Sequence, residues 1–199
     1  IKQTYRELRE EHEAKQSIKQ LVSYEEAKAN PVEIDWSSYE PVKPKQLGRT
    51  VLEDLDLNEV VMEAMNYMKN RSGKGIEFES SYWGHPVVCS INKNLFHWVI
   101  ENLVKNSIDA MEGEGRLLCS VKQLKNKAVI DITDTGKGIP SNQMKSVFKP
   151  GYTTKKRGWG LGLSLAKRII TDYHRGEIYV KESVPLERTT IRIVLTASV

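Results

Sequence analysis

Phe96-His97-Trp98-Val99-Ile100-Glu101-Asn102-Leu103-Val104-Lys105-Asn106-Ser107-Ile108-Asp109-Ala110-Met111 is the stretch on which the fold reading turns. At helical pitch, Phe96, Ile100, Val104, Ser107 and Met111 fall on one side, and Asn102, Asn106 and Asp109 on the other. A wet face of an ordinary amphipathic helix is one reading of that polar stripe. Asparagine, however, is a poor helix-interior residue, because its amide competes for backbone hydrogen bonds; a solvated face is usually built from Lys, Glu, Gln or Arg. Two asparagines one turn apart therefore also read as oxygen ligands for a hard cation such as Mg2+, which takes few protein oxygens and keeps water and phosphate.

Outward from this helix the pattern alternates. Upstream, Leu57, Val60, Val61, Ala64, Met65 and Met68 recur at core-facing helical spacing, with Asp56 placed to cap them. Gly75 to Glu79 and Val87 to Ile91 read as strands. Downstream, Gly113 and Gly115 break the chain before two strand patterns, Leu117 to Val121 and Ala128 to Thr133. A helix from Leu161 to about Tyr173 and strands at 177–180 and 190–195 complete the set. This order predicts an α+β fold: a two-layer sandwich of a mixed, mostly antiparallel sheet with helices on one face.

Two more segments carry chemistry. Asp134-Thr135-Gly136-Lys137-Gly138-Ile139-Pro140 follows an apolar strand, so a carboxylate at the strand end could accept from an exocyclic amine while glycines admit a flat ligand. The same pattern is also a common turn signature. In Phe148-Lys149-Pro150-Gly151-Tyr152-Thr153-Thr154-Lys155-Lys156-Arg157-Gly158-Trp159-Gly160-Leu161-Gly162-Leu163, alternate glycines open a helix whose amides and dipole favour an anion. A flexible basic loop is the plainer reading of that segment.

The chain has 199 residues, 39% hydrophobic and 28% charged, as expected for a soluble globular protein. No apolar run approaches the ~20 residues of a membrane span, so no membrane contact by this fragment is expected, with a membrane-anchored parent protein left open; a cytoplasmic location is expected. Its net charge of +4 is mild and scattered, which predicts no nucleic-acid partner. Cys89 and Cys119 read as buried, reduced thiols.

Taken in order, Asn102-x3-Asn106, Asp134-x-Gly136-x-Gly138, Phe148 with Thr153-Thr154-Lys155, and Gly158-x-Gly160-Leu161-Gly162-Leu163 resemble the N, G1, F and G2 boxes of bacterial sensor histidine kinases. Their ATP-binding domain shares an ATPase family with gyrase B, Hsp90 and MutL. The match runs over residues 57–199. It implies ATP or ADP with Mg2+, Asn106 as metal ligand, Asn102 near metal and phosphates, and Lys105 and Asp109 in the nucleotide site. It also implies that Asp134 bonds the adenine amine, with Gly136 and Gly138 under the base and Ile139 beside them. Thr153, Thr154, Lys155 and Gly158 would form a lid. Gly160 and Gly162 would contact phosphate through backbone amides, with Leu161 and Leu163 in the same nucleotide site, and Thr189 would join a water network beside Asp134. The implied partners are a phosphoacceptor histidine domain and a response regulator, both in trans.

Hydrolytic relatives usually carry Glu where this chain has Asn102, so the resemblance favours phosphotransfer over hydrolysis of the gyrase B or MutL kind. His12-Glu13 comes nearest to a phosphoacceptor motif, but Ala14-Lys15-Gln16 do not continue it. His174 reads as a helix C-terminal residue favoured by the dipole. Residues 1–56 form a second region, an exposed N-terminal helix over Ile1 to Gln20 and a Pro-containing extended linker. Leu21 to Asn30, Ile34 to Pro44, Leu47-Gly48 and Glu53 to Leu57 resemble the interdomain linker of cobalamin-dependent methionine synthase. A non-catalytic fragment related to that enzyme is therefore a further alternative.

Overall fold

The computed structural model describes residues 51–154 and 160–198. The expected N-terminal helix, the linker through Arg49, His12, and Lys155 to Trp159 of the basic loop lie outside the described residues.

Strand β1 (Glu53–Asp56) leads into helix α1 (Leu57–Arg71). Asp56 caps α1 as expected: its Oδ1 accepts from Asn58 N at 3.0 Å and also from Val87 N at 2.9 Å. Strands β2 (Ile76–Ser81) and β3 (Val88–Ile91) precede helix α2 (Lys93–Ala110), which Asn92 caps by accepting from Leu95 N at 2.9 Å. Then come β4 (Gly115–Leu124), β5 (Lys127–Asp134), two short 3-10 turns, and helix α3 (Gly162–Arg168), which runs into a π-helical turn, Ile169–Tyr173. Strands β6 (Glu177–Val184) and β7 (Arg188–Thr196) close the chain.

The main sheet has five strands in the order β2-β4-β5-β7-β6. Only β2 and β4 run parallel; the other neighbours are antiparallel. Alternation decides its faces: Leu117, Cys119 and Val121, then Ala128, Ile130 and Ile132, then Ile191, Ile193 and Leu195 are buried, while Leu118 and Tyr179 on the opposite face are exposed. Helix α2 covers the buried face with Leu95, Phe96, Val99, Ile100, Leu103 and Val104, beside Leu57, Val61 and Ala64 of α1. Each such Leu or Ile removed from water contributes about 1.5–3 kcal/mol. Ile130→Asp, an unpaired charge at the centre of this layer, would break the fold. The predicted two-layer α+β sandwich is the observed one.

Residues 53–56, expected to be linker, instead form β1, antiparallel to β3 with Leu55 opposite Cys89. Leu55 packs on the core, which holds a strand in place despite its three acidic neighbours. Among the described residues, no helix is long and apolar enough to cross a membrane.

Candidate functional site: a cavity between the second helix and the sheet edge

A cavity of about 910 Å³ opens between α2, the end of β5 and the start of α3. Its two ends differ in chemistry.

One end is built on α2. Packing of the apolar face turns Asn102 and Asn106 sideways, half-buried, and Asn106 Nδ2 donates to Asn102 Oδ1 at 2.8 Å. This bond fixes the orientation of both amides. Helix α3 begins against them: a Cβ built on Gly162 would lie 2.7 Å from both Nδ2 and Oδ1 of Asn102. Gly160, at φ +67°, also needs its missing side chain, since a Cβ there would meet Gly151 carbonyl carbon at 2.6 Å and Tyr152 O at 2.7 Å. Tyr152 is itself tied through its hydroxyl to the Gln143 side chain. Lys105, Thr153, Thr154, Leu161 and Leu163 line the same end with Asn102, Asn106, Gly160 and Gly162.

The other end follows from strand alternation. Asp134 is the next residue in the core-facing row Ala128, Ile130, Ile132, so a carboxylate is delivered to the buried face, 4% exposed. Burial pushes its pKa above the usual carboxylate value, opposed by the Gly136 amide, which donates to Oδ1 at 2.9 Å, and by a hydrogen bond from Ser107. Thr189 stands opposite Asp134 in the β5–β7 register and is equally buried. Asp109, Gly138 and Ile139 complete the set of expected residues that line the cavity.

Gly136 does not line it. A Cβ there would strike the Ala110 backbone at 2.7 Å, so this glycine lets the loop close against the end of α2, where Lys137 N donates to Ala110 O at 3.0 Å. Gly138, at φ +83°, has Pro185 Cα 2.8 Å from its would-be Cβ. Lys155 and Gly158 lie outside the described residues. Several lining residues escaped the sequence reading: Ser107, Ala110, Lys137, Val147, Tyr152 and Ile191. Ser107 had a signal, a hydroxyl interrupting an apolar stripe, and Ile191 was recoverable by counting two along β7 from Thr189.

Glu101 does not line the cavity. Its carboxyl has a raised pKa through burial and feels Arg71 at the end of α1, which puts it on the far flank of α2. His174 corrects an expectation. It is 7% exposed; Nδ1 donates to Ile169 O at 2.9 Å and Nε2 accepts from Asn92 N at 3.1 Å. An accepting Nε2 requires the neutral ring, and burial lowers the pKa, so the charge-favouring dipole does not prevail.

A family model described as histidine kinase-, DNA gyrase B- and HSP90-like ATPase matches residues 91–198. Sporulation kinase D of Bacillus subtilis is 31% identical over 157 residues, 76% of this chain and 31% of that protein. Sensor histidine kinase ZraS of Salmonella typhimurium is 30% identical over 145 residues, 71% of this chain and 30% of that protein. The chain thus spans under a third of the length of these relatives. The catalytic domain of histidine kinase ThkA superposes with a TM-score of 0.66 at 25% identity, covering 73% of this chain and 95% of that one. ThkA has also been solved in complex with the response regulator protein TrrA. The chain belongs to the histidine kinase-, DNA gyrase B- and HSP90-like ATPase family, and its domain is the ATP-binding catalytic domain of the histidine kinase type.

Proposed function

We propose that the chain binds Mg-ATP in this cavity and transfers the γ-phosphoryl group to a histidine on a separate helical domain, with a response regulator as the next partner. The observation that carries this reading is the Asn102–Asn106 pair, hydrogen-bonded at 2.8 Å and packed against Gly162, with an amide at position 102 where a general base would stand. Neither amide can take a proton, so the pair can coordinate and orient but cannot activate water as a general base. Glu101 is outside the cavity. Asp109, which also lines the cavity, is one turn beyond Asn106 and two turns beyond Asn102, about 10 Å from Asn102 by helical rise.

The residues fit a magnesium ion. Asn106 donates through its nitrogen to Asn102, which directs that nitrogen away from a metal and leaves carbonyl oxygen as the ligand type the amide presents. Magnesium would supply charge neutralisation across the β- and γ-phosphates. The chain's own part is positional: Gly160 and Gly162 admit phosphate close to backbone, Lys105 adds positive charge, and Asp134 accepts from the adenine amine at the far end. An ATP held at both ends presents its γ-phosphorus for in-line attack by an imidazole.

Isothermal titration of the chain with ADP, with and without Mg2+, is the first test, paired with Asn106→Asp and Asp134→Asn. Metal-dependent binding that both variants weaken is expected. Phosphotransfer to a histidine-bearing hairpin of a sensor kinase, added in trans, is the second. Steady ATP hydrolysis without any acceptor would overturn the kinase reading in favour of a hydrolase.

A further inference from the structure

Gln143 does not line the cavity, yet it holds a residue that does. It ends a 3-10 turn, Ser141–Gln143, and its backbone amide donates to Pro140 O at 2.8 Å, which ties it to the loop that brings Gly138 and Ile139 to the Asp134 end of the cavity. Its side-chain Oε1 accepts from the hydroxyl of Tyr152. The Tyr152 ring packs half-buried on the core, and the Tyr152 amide donates to Lys149 O at 3.2 Å.

The opposite end of the cavity rests on this tyrosine. A Cβ built on Gly160 would lie 2.6 Å from the Gly151 carbonyl carbon, 2.7 Å from Tyr152 O and 2.8 Å from the Tyr152 carbonyl carbon, so its three nearest atoms all belong to the peptides flanking Tyr152. Two residues later, Gly162 rests in the same way on the Asn102 amide. A glycine has no side chain with which to fix its own place, so Gly160 stays where its seat puts it. Apolar contact alone leaves an aromatic ring free to slide, because it is non-directional; a hydrogen bond at the far end of the ring fixes distance and angle. We infer that Gln143 is a positioning residue for the phosphate end: through the Tyr152 hydroxyl it holds the Gly151–Tyr152 backbone on which Gly160 rests, and so sets the spacing between the glycine turn and the Asn102–Asn106 pair. The inference rests on the proposed placement of the phosphates at that end.

The test measures displacement of a fluorescent ribose-labelled ADP from the full chain by Mg-ADP and by adenosine, which has the base but no phosphate. Tyr152→Phe and Gln143→Leu, both close in size to the residues they replace, each remove the bond. Each is expected to weaken Mg-ADP about three- to tenfold, the worth of one hydrogen bond, and to leave adenosine within about twofold. Gln143→Glu keeps an acceptor for the phenol and should hold Mg-ADP within about twofold of the unsubstituted chain. The double variant should bind Mg-ADP no more weakly than either single one, since one bond can be lost only once. Losses that add, or an equal loss for adenosine and Mg-ADP, would overturn the inference, the second because it means a general loosening of the wall. Hydrogen–deuterium exchange over residues 160–165 reads the same seat without a ligand: Tyr152→Phe is expected to speed it, and unchanged exchange overturns the inference. If Asn106→Asp weakens Mg-ADP while Gln143→Leu does not, this inference fails and the phosphate placement stands. If neither does, the placement fails with it.

Discussion

Gly162→Ala separates folding from function at the phosphate end. The new methyl would stand 2.7 Å from Nδ2 and Oδ1 of Asn102, where ordinary contact begins at 3.4 Å. The amide must therefore retreat by the difference of about 0.7 Å. Its obstacle is the end of a side chain rather than backbone, so χ rotation of Asn102 absorbs the clash. A retreat of that size along the bond carries the 2.8 Å Asn106–Asn102 hydrogen bond to about 3.5 Å, the outer limit of such a bond. Loss of it costs about 1 kcal/mol. Against this, alanine is favoured over glycine in a helix by about 1 kcal/mol, and Gly162 is the first residue of α3. The two terms offset, and thermal stability should stay within a few degrees of the unsubstituted chain. Nucleotide affinity has no such offset. The methyl fills the space between α3 and α2 and turns the amides that would meet metal and phosphate, so Mg-ATP affinity should fall at least tenfold, on the order of 1.4 kcal/mol. Melting followed by fluorescence and titration with Mg-ATP on the same sample measure both quantities. A variant that melts normally and binds Mg-ATP with unchanged affinity would refute the placement of phosphate between Asn102 and Gly162.

Gly136→Ala should behave in the opposite way: its Cβ meets Ala110 backbone carbon and oxygen at 2.7 Å, which cannot rotate aside, so stability should fall by about 1–3 kcal/mol in a denaturant melt. Ser107→Ala removes a hydrogen bond that opposes the burial-raised pKa of Asp134, so the acid-side loss of ADP affinity, which already begins above the ordinary value of 3.8, should move to still higher pH in a binding-pH profile. For His174 the folded pKa lies below 6.5, so under acid conditions the unfolded chain takes a proton that the folded chain refuses; stability is whole above pH 6.5, falls as pH drops below it, and should fall less steeply in His174→Gln. Burial pushes the thiols of Cys89 and Cys119 up to about 12, so a thiol-alkylating reagent at neutral pH should label neither in the native chain and both after unfolding, read by mass spectrometry.

The parts of the fold legible in the sequence are those where one local signal has one structural outcome. The 3.6-residue spacing from Leu57 gave α1, and the period-2 row from Ala128 gave β5 and its buried face. β1 was hidden because Glu53, Asp54 and Asp56 are poor strand residues; what makes them a strand is the partner β3 thirty-five residues on and the single apolar anchor Leu55. The π turn was invisible for a similar reason. Ile169 to Tyr173 looks like ordinary helix, and its wider winding is set by His174, whose amide and Nδ1 both reach Ile169 O.

The candidate site divides along the same line. Asn102, Asn106 and Asp134 stood out because each is the wrong residue for its local setting: an amide inside a helix, or a charge at the end of a buried row. Gly136 stood out for the wrong reason, since a glycine wanted for close packing on Ala110 is indistinguishable in sequence from one wanted under a ligand. Ser107, Ser183 and Thr189 gave weaker signals still, because a hydroxyl is unremarkable in any element until its partner is known, and their partners lie across the fold. The consequence is physical. The amide and carboxylate positions can be picked out locally, while the partners of the Ser183 and Thr189 hydroxyls are set only by the tertiary pairing of β6, β7 and the loop after β5.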